Sequence, residues 1–413
     1  MKDNELYQQI LGLRDPWEVI EVKLDIEKKE VLVGIGYRKG AKWEVEGEQI
    51  EKIYDHAPVR KWRHLDSCQF QTVLEARVPR VKLNDGRVQT VPIPWAEKNS
   101  RFTELFECLA IKVLQASSSI EAACQLLGID WDAAQRIMER AVERGIERRE
   151  LGTLSVVGMD EKSFLRGQSY ASLLYDLNRE NPRVLEVVMQ RDSPAAELLW
   201  ETLPEETRQS IRAVCLDMSG IYHEVATEMV PQAKIVHDKF HVSKHLNEAV
   251  DKVRRRENKT LQAQGDQRLK GARQLFLFSP ENLPQKHIED FERLKNSDLK
   301  AARAWAIKES FRAFWQCHSV SKAQEVFKKW YAWAVRCQLQ EIKKIAKMLK
   351  KHLSGLLNFI LFSITNAVAE GFNSKIQSLK SAARGFKNFL NYRTRILFFC
   401  GKLDLFPILS YPL

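Results

Sequence analysis

The chain has 413 residues, 44% of them apolar and 29% charged. That length allows several domains, and that mixture excludes a disordered, fibrous or low-complexity chain. The charge is uneven: residues 241–413 carry 32 Lys+Arg against 14 Asp+Glu, and residues 1–240 carry 33 against 40, so the second half is the part suited to face a polyanion such as nucleic acid.

Residues 1–98 read as a small β domain. WEVIEVKLDI, EVLVGIGY and RVQTVPIPW show partial alternation with β-branched enrichment, and Asn84-Asp85-Gly86 has the form of a hairpin turn. From 99 to 150 the period becomes helical. RFTELFECLAIKVLQ places Phe102, Leu105, Phe106, Leu109 and Val113 on one face. Ser118-Ser119-Ile120-Glu121 has capping-box form and opens a helix through Leu127; Gly128 supplies a turn, and a second helix is expected over 131–143. This is the helix-turn-helix pattern, with Gln135, Arg136 and Arg140 on its second helix able to reach bases and phosphates. Helical hairpins also occur in proteins that never touch DNA, so the motif alone leaves both readings open.

From 153 the pattern changes again. TLSVVGMDEKSF, YASLLYDLN and RVLEVVMQ read as three strands of an antiparallel meander. A helical segment, SPAAELLWETLPEETRQS, follows. Then come a buried strand in IRAVCLDMSG, a helix in YHEVATEMV and another strand in AKIVHDKFHV. That order is the one of a ribonuclease-H-like α/β core, a mixed sheet flanked by helices, here spanning 151–400. A helical insertion over 246–354 interrupts it, and 401–413 forms a tail. The insertion is basic and aromatic, with Trp305, Trp315, Trp330 and Trp333 expected to pack mostly between helices and the lysines of 342–351 expected to meet phosphates. The apolar stretch 353–369 is too short and too polar for a membrane span and is expected to be buried. A long helical run broken near Gly385 ends the chain. Seven cysteines stand singly without a CxxC pair, and MKDNELYQQI has no apolar leader, so reduced thiols in the cytoplasm are expected.

Asp160 and Asp217 each end a mostly apolar run, SVVGMD and AVCLD. A buried strand that ends in a carboxylate sets that charge at the sheet edge, where it needs a partner. For one Asp, a turn or helix cap is the ordinary explanation. Two neighbouring strands would bring two like charges together, and a hard dication with oxygen ligands, Mg²⁺ or Mn²⁺, resolves the conflict. Glu370 is the candidate third ligand: it is the only acid between Glu341 and Asp404, with Asn366 and Asn373 at helical spacing. Three carboxylates holding two ions support in-line phosphoryl displacement. Lys375, Lys380, Arg384 and Lys387 then read either as phosphate contacts or as a solvated basic face. His237, Asp238, His241 and His245 cluster without a cysteine, which favours a structural or substrate-contacting role for His241 over a zinc site.

VVGMDEKSF, CLDMSGIY, IVHDKFHVSKHLNEAVDKVRR and TNAVAEGFNSKIQSLKSAARGFKNFLNYRTRI together resemble the bacterial insertion-sequence transposases of the ISL-three family. WRHLDSCQFQTVLEARVPRV and the helix-turn-helix extend the match over most of the chain. The resemblance implies a DDE transposase with the acidic triad Asp160, Asp217 and Glu370, cutting and transferring strands at insertion-sequence ends. It implies double-stranded DNA as partner, both the terminal inverted repeats and the target. It also implies a homodimer or higher oligomer on DNA, at the bacterial nucleoid and away from membranes. That family usually carries a zinc ribbon near its N-terminus. Here Cys68, His56 and His64 are scattered, so zinc is not expected, and Arg60, Lys61 and Arg63 are the basic side chains left to meet DNA.

Overall fold

The computed structural model describes residues 2–165, 169–178, 180–218, 220–278, 280–362 and 367–409, with the side chains of Pro280, Ala367, Ala369 and Glu370 outside that description. The chain divides into two units, residues up to Arg149 joined by the segment from Leu403, and Glu150–Lys402.

In the first unit, α1 (Asp3–Ile10) precedes strands β1 (Trp17–Asp25), β2 (Glu30–Tyr37), β3 (Trp43–Val45), β4 (Glu48–Ile50), β5 (Ile53–His56), β6 (Arg60–Arg63), β7 (Gln71–Ala76), β8 (Pro79–Lys82) and β9 (Val88–Thr90). Alternation decides which face is buried: β2 turns Val31, Val33 and Ile35 inward, and β7 turns Leu74 and Ala76 inward. The sheet order is β1-β2-β7-β6, with β2 and β7 parallel. A three-stranded sheet, β5-β8-β9, holds the expected hairpin: Asn84–Gly86 is bridged by the Leu83 N–H donating to the Arg87 carbonyl at 2.8 Å. Trp95 packs edge to face with both Trp17 and Trp62 in the core, and Trp43 lies tilted against Trp17.

Three helices follow, α2 (Glu104–Ala116), α3 (Ile120–Leu127) and α4 (Trp131–Glu147). The buried face of α2 is rotated from the expected one: Phe106, Glu107, Ala110, Ile111 and Leu114 are buried while Leu109 is 42% exposed. The reason is Glu107, a buried charge held by Arg140 and Arg144 of α4, which apolar periodicity cannot place. Ser119, one residue after the expected cap, accepts the Ala122 N–H at 3.2 Å. Gly128 closes α3 at φ +62°, a conformation open to glycine at no steric cost. Asp130 then caps α4, accepting from the Ala133 N–H at 2.6 Å, and α4 runs four residues beyond the expected end.

The second unit begins with β10 (Val156–Ser163), β11 (Tyr170–Asp176) and β12 (Arg183–Met189), the expected antiparallel meander. Next come α5 (Ser193–Glu201), α6 (Glu205–Gln209), β13 (Ala213–Leu216), α7 (Gly220–Met229) and β14 (Lys234–His237). The order is β12-β11-β10-β13-β14, with β10, β13 and β14 mutually parallel, which fits a ribonuclease-H-like core. AKIVHDKFHV is not all strand. β14 stops at His237, and Asp238 caps α8 (Lys239–Ala263) by accepting the Phe240 N–H at 2.9 Å. His241 and His245 therefore sit one turn apart on a helix.

Helices α9 (Arg273–Leu277), α10 (Ile288–Lys295), α11 (Lys300–Ser310), α12 (Arg312–Trp315), α13 (Val320–Arg336), α14 (Gln340–Lys351) and α15 (Leu353–Phe362) pack with α8 around their own apolar core. Trp305 and Trp330 lie within it, Trp315 packs at its margin, and Trp333 is exposed. The expectation of a buried segment at 353–369 is corrected for α15: only Gly355 and Leu356 are buried, and Leu361 is 62% exposed. One side of α15 docks on β14, with the Asn358 amide donating to the Ile235 carbonyl at 2.8 Å, and apolar composition cannot say that the other side stays open. Residues 363–366 of that stretch lie outside the described residues. α16 (Ala367–Ala382) and α17 (Phe389–Cys400) complete the unit, separated around Gly385 as expected.

Candidate active site

Strand register brings the two aspartates together. β10 and β13 run parallel with Gly158 opposite Cys215. Two residues further, both chains reach an acid, Asp160 and Asp217. A step of two keeps side chains on one face, and adjacent strands lie about 4.8 Å apart. Both acids line one narrow cleft together with Tyr175, Asp238 and His241. β13 is buried at all four positions, so its first polar residue falls at the sheet's end.

Each acid has defined neighbours. Asp160, 14% exposed, accepts the Glu161 N–H on Oδ1 at 2.8 Å and the Asn373 amide on Oδ2 at 2.8 Å, with Lys162 Nζ 3.7 Å from Oδ2. Asn373 in turn accepts from the Tyr175 hydroxyl at 3.3 Å, and the Tyr175 ring stacks on Phe372 of α16. Burial, reinforced by the Asp160 charge, holds the Tyr175 hydroxyl well above its ordinary pKa, so it stays a donor. Asp217 Oδ2 faces His241 Nδ1 at 4.0 Å, and His241 Nε2 faces Asp238 Oδ2 at 3.8 Å. Burial pushes the neighbouring His237 down to about 4 and leaves it neutral beside His352.

Glu370 occupies α16 three residues before Asn373; its side chain lies outside the described residues, as does Asn366. Among the described residues no group of three or more His, Cys, Asp or Glu side chains could hold a metal ion. The sequence singled out Asn373 only as a neighbour of Glu370. Tyr175 and Lys162 were missed, although Lys162, two positions after Asp160 on one strand, carried a usable signal.

The expected DNA-contacting side chains divide sharply. Arg136 is exposed on α4, and Gln135 reaches only Glu139 at 2.9 Å. Arg140 is instead committed to buried Glu107. Lys375 donates to the Phe399 carbonyl at 2.7 Å and Lys380 to the Ser163 carbonyl at 2.6 Å, so both tie α16 to its surroundings. Arg384 and Lys387 are exposed in the turn after α16. No described helix is long and apolar enough to cross a membrane.

Comparison with known proteins identifies the family. Residues 157–396, more than half of the chain, match a family model described as transposase. Residues 91–142 match the helix-turn-helix domain of transposase family ISL3. The chain is similar to the transposase for insertion sequence element IS1557 of Mycobacterium tuberculosis, 26% identical over 424 residues, covering 94% of this chain and 93% of that protein. It is also similar to the transposase for insertion sequence element IS1001 of Bordetella parapertussis, 25% identical over 349 residues, covering 83% and 84%.

One expectation is corrected. Zinc was not expected, yet residues 47–82 match the zinc-finger of transposase IS204/IS1001/IS1096/IS1165. Cysteine pairs were the wrong criterion for recognising the segment, which matches although it contains no cysteine pair. Its donors do not converge in the described residues: His56 Nε2 bonds the Tyr37 hydroxyl at 2.6 Å, His64 Nδ1 bonds Thr103 Oγ1 at 2.9 Å, and Cys68 is exposed. With zinc-finger, helix-turn-helix and transposase segments matched in that order along one chain, this protein belongs to transposase family ISL3.

Proposed function

We propose that this transposase cuts and joins DNA strands at the ends of a bacterial insertion sequence, with Asp160, Asp217 and Glu370 as ligands for divalent cations. The observation that carries the reading is the matched register of β10 and β13, which sets two carboxylates on one face of one cleft. Such an oxygen-only donor set suits Mg²⁺ or Mn²⁺. Glu370 joins them in this reading because Asn373, one helical turn later, already bonds Asp160. Bound ions would activate a water or 3′-hydroxyl and stabilise the leaving oxygen. The protein's own part is to hold the acids: Asn373 and Lys162 orient Asp160, and His241 stands between Asp217 and Asp238. Arg136 and Gln135 on α4 are the proposed readers of the element end, and Arg384 and Lys387 the proposed phosphate contacts.

The test uses Asp160→Asn, Asp217→Asn and Glu370→Gln with a duplex carrying one element end and Mg²⁺ or Mn²⁺. Each variant should bind the duplex as wild type does and lose both cleavage and strand transfer. Substantial strand transfer by any one of them removes that residue from the triad, and cleavage without joining by the wild type assigns a nuclease instead.

A further inference from the structure

We infer that the outer face of α8 carries one strand of the DNA substrate away from Asp160 and Asp217. The inference rests on the reading of those acids as the cutting centre. α8 buries Val242, Leu246, Ala249, Val250 and Val253 in the helical core. Its opposite face bears Phe240, Ser243, Lys244, Asn247, Asp251 and Arg255, at the three- and four-residue intervals that make one stripe. These residues line an open groove of about 720 Å³, to which Arg273 and Leu277 of α9 also contribute.

The groove begins one residue away from the histidine that faces Asp217. Phe240 directly precedes His241, whose imidazole faces Asp217, and the two rings lie 5.7 Å apart. From 240 to 255 the helix advances about 22 Å at about 1.5 Å per residue. A strand rising about 3.4 Å per nucleotide spans that length in six or seven steps.

Its chemistry is specific. Asp251 is already covered by Arg254 at 2.8 Å, Arg255 at 3.2 Å and Arg273 at 3.8 Å, so three guanidiniums gather around one carboxylate. Lys244 and Lys252 are exposed and form no ion pair among the described residues; with Arg254, Arg255 and Arg273 they outnumber the two carboxylates of the groove, Glu248 and Asp251. Asn247 Oδ1 is buried without a hydrogen-bond partner among the described residues. Phe240, 53% exposed, offers a ring face at the end nearest the acids. Spaced cations and an open aromatic face suit a sugar-phosphate strand with an unstacked base. An acidic protein surface would use only the cations.

Binding can be read without chemistry in an Asp160→Asn background, using anisotropy of a duplex carrying one element end. Lys244→Glu with Lys252→Glu should weaken binding about 10-fold at about 0.1 M salt and flatten the log–log salt slope by about 2. Phe240→Ala should leave that slope alone and abolish the fluorescence rise of 2-aminopurine placed beside the cut. An unchanged slope in the α8 pair overturns the inference. A change of oligomeric state in the α8 pair with no change in slope also overturns it, and assigns the groove to a second copy of the chain. Should Asp160→Asn itself still cut, the cutting-centre reading fails while the binding result on the groove stands.

Discussion

Asn373→Ala removes two bonds at once: the amide donor 2.8 Å from Asp160 Oδ2 and the acceptor for the Tyr175 hydroxyl at 3.3 Å. Water can only partly replace the donor, because Asp160 is 14% exposed. A hydrogen bond to a charged group contributes about 1.5–3 kcal/mol. Lys162 stays 3.7 Å away and softens the loss, so the lower half of that range applies. In rate that is about 12- to 45-fold. Single-turnover cleavage of a labelled element-end duplex, titrated with Mn²⁺, reads it. The variant should cleave slowly and need more Mn²⁺ for half-maximal rate, while DNA affinity stays constant. Tyr175→Phe keeps the ring stacked on Phe372 and loses only the weaker bond, so it should cost about 2- to 5-fold. Wild-type rates for Asn373→Ala at every Mn²⁺ concentration would refute the reasoning. So would a rate loss that disappears on cooling in step with recovered folding, because Asn373 would then be structural.

Two further outcomes follow from burial in the first unit. Arg144 bonds Glu97 at 2.6 Å and the Leu405 carbonyl, and lies 3.3 Å from Glu107, itself almost wholly buried. Arg144→Met should therefore destabilise this unit by about 3–5 kcal/mol in denaturant unfolding, and adding Glu107→Gln should recover part of it; a single variant within about 0.5 kcal/mol of wild type would contradict the pairing. His64 is held neutral, with burial pushing its pKa down to about 4 while its nitrogen bonds Thr103. The unfolded chain takes up that proton first, near pH 6.5, so this contribution is full above pH 6.5 and fades as pH falls toward 4. Up to about 3 kcal/mol is at stake, and His64→Asn should flatten the stability-versus-pH curve in that window.

Sequence alone determined much of this protein. Strand order and type in the second unit, the helix-turn-helix and the long ordered motifs were legible, because apolar period, caps and turn residues are local signals. Asp160 and Asp217 stood out for the same reason: each ends an apolar run. Convergence was another matter. Only the pairing of Gly158 with Cys215 puts those acids side by side, and register is a property of two strands that neither sequence contains. The same limit hid Glu107 on the inner face of α2, whose partners lie 33 and 37 residues away on α4. Lys375, Lys380 and Arg140 looked like DNA contacts because a cation's formal charge is visible in sequence. Whether a carbonyl or a carboxylate has already claimed it depends on packing between elements, and that the tertiary structure decided.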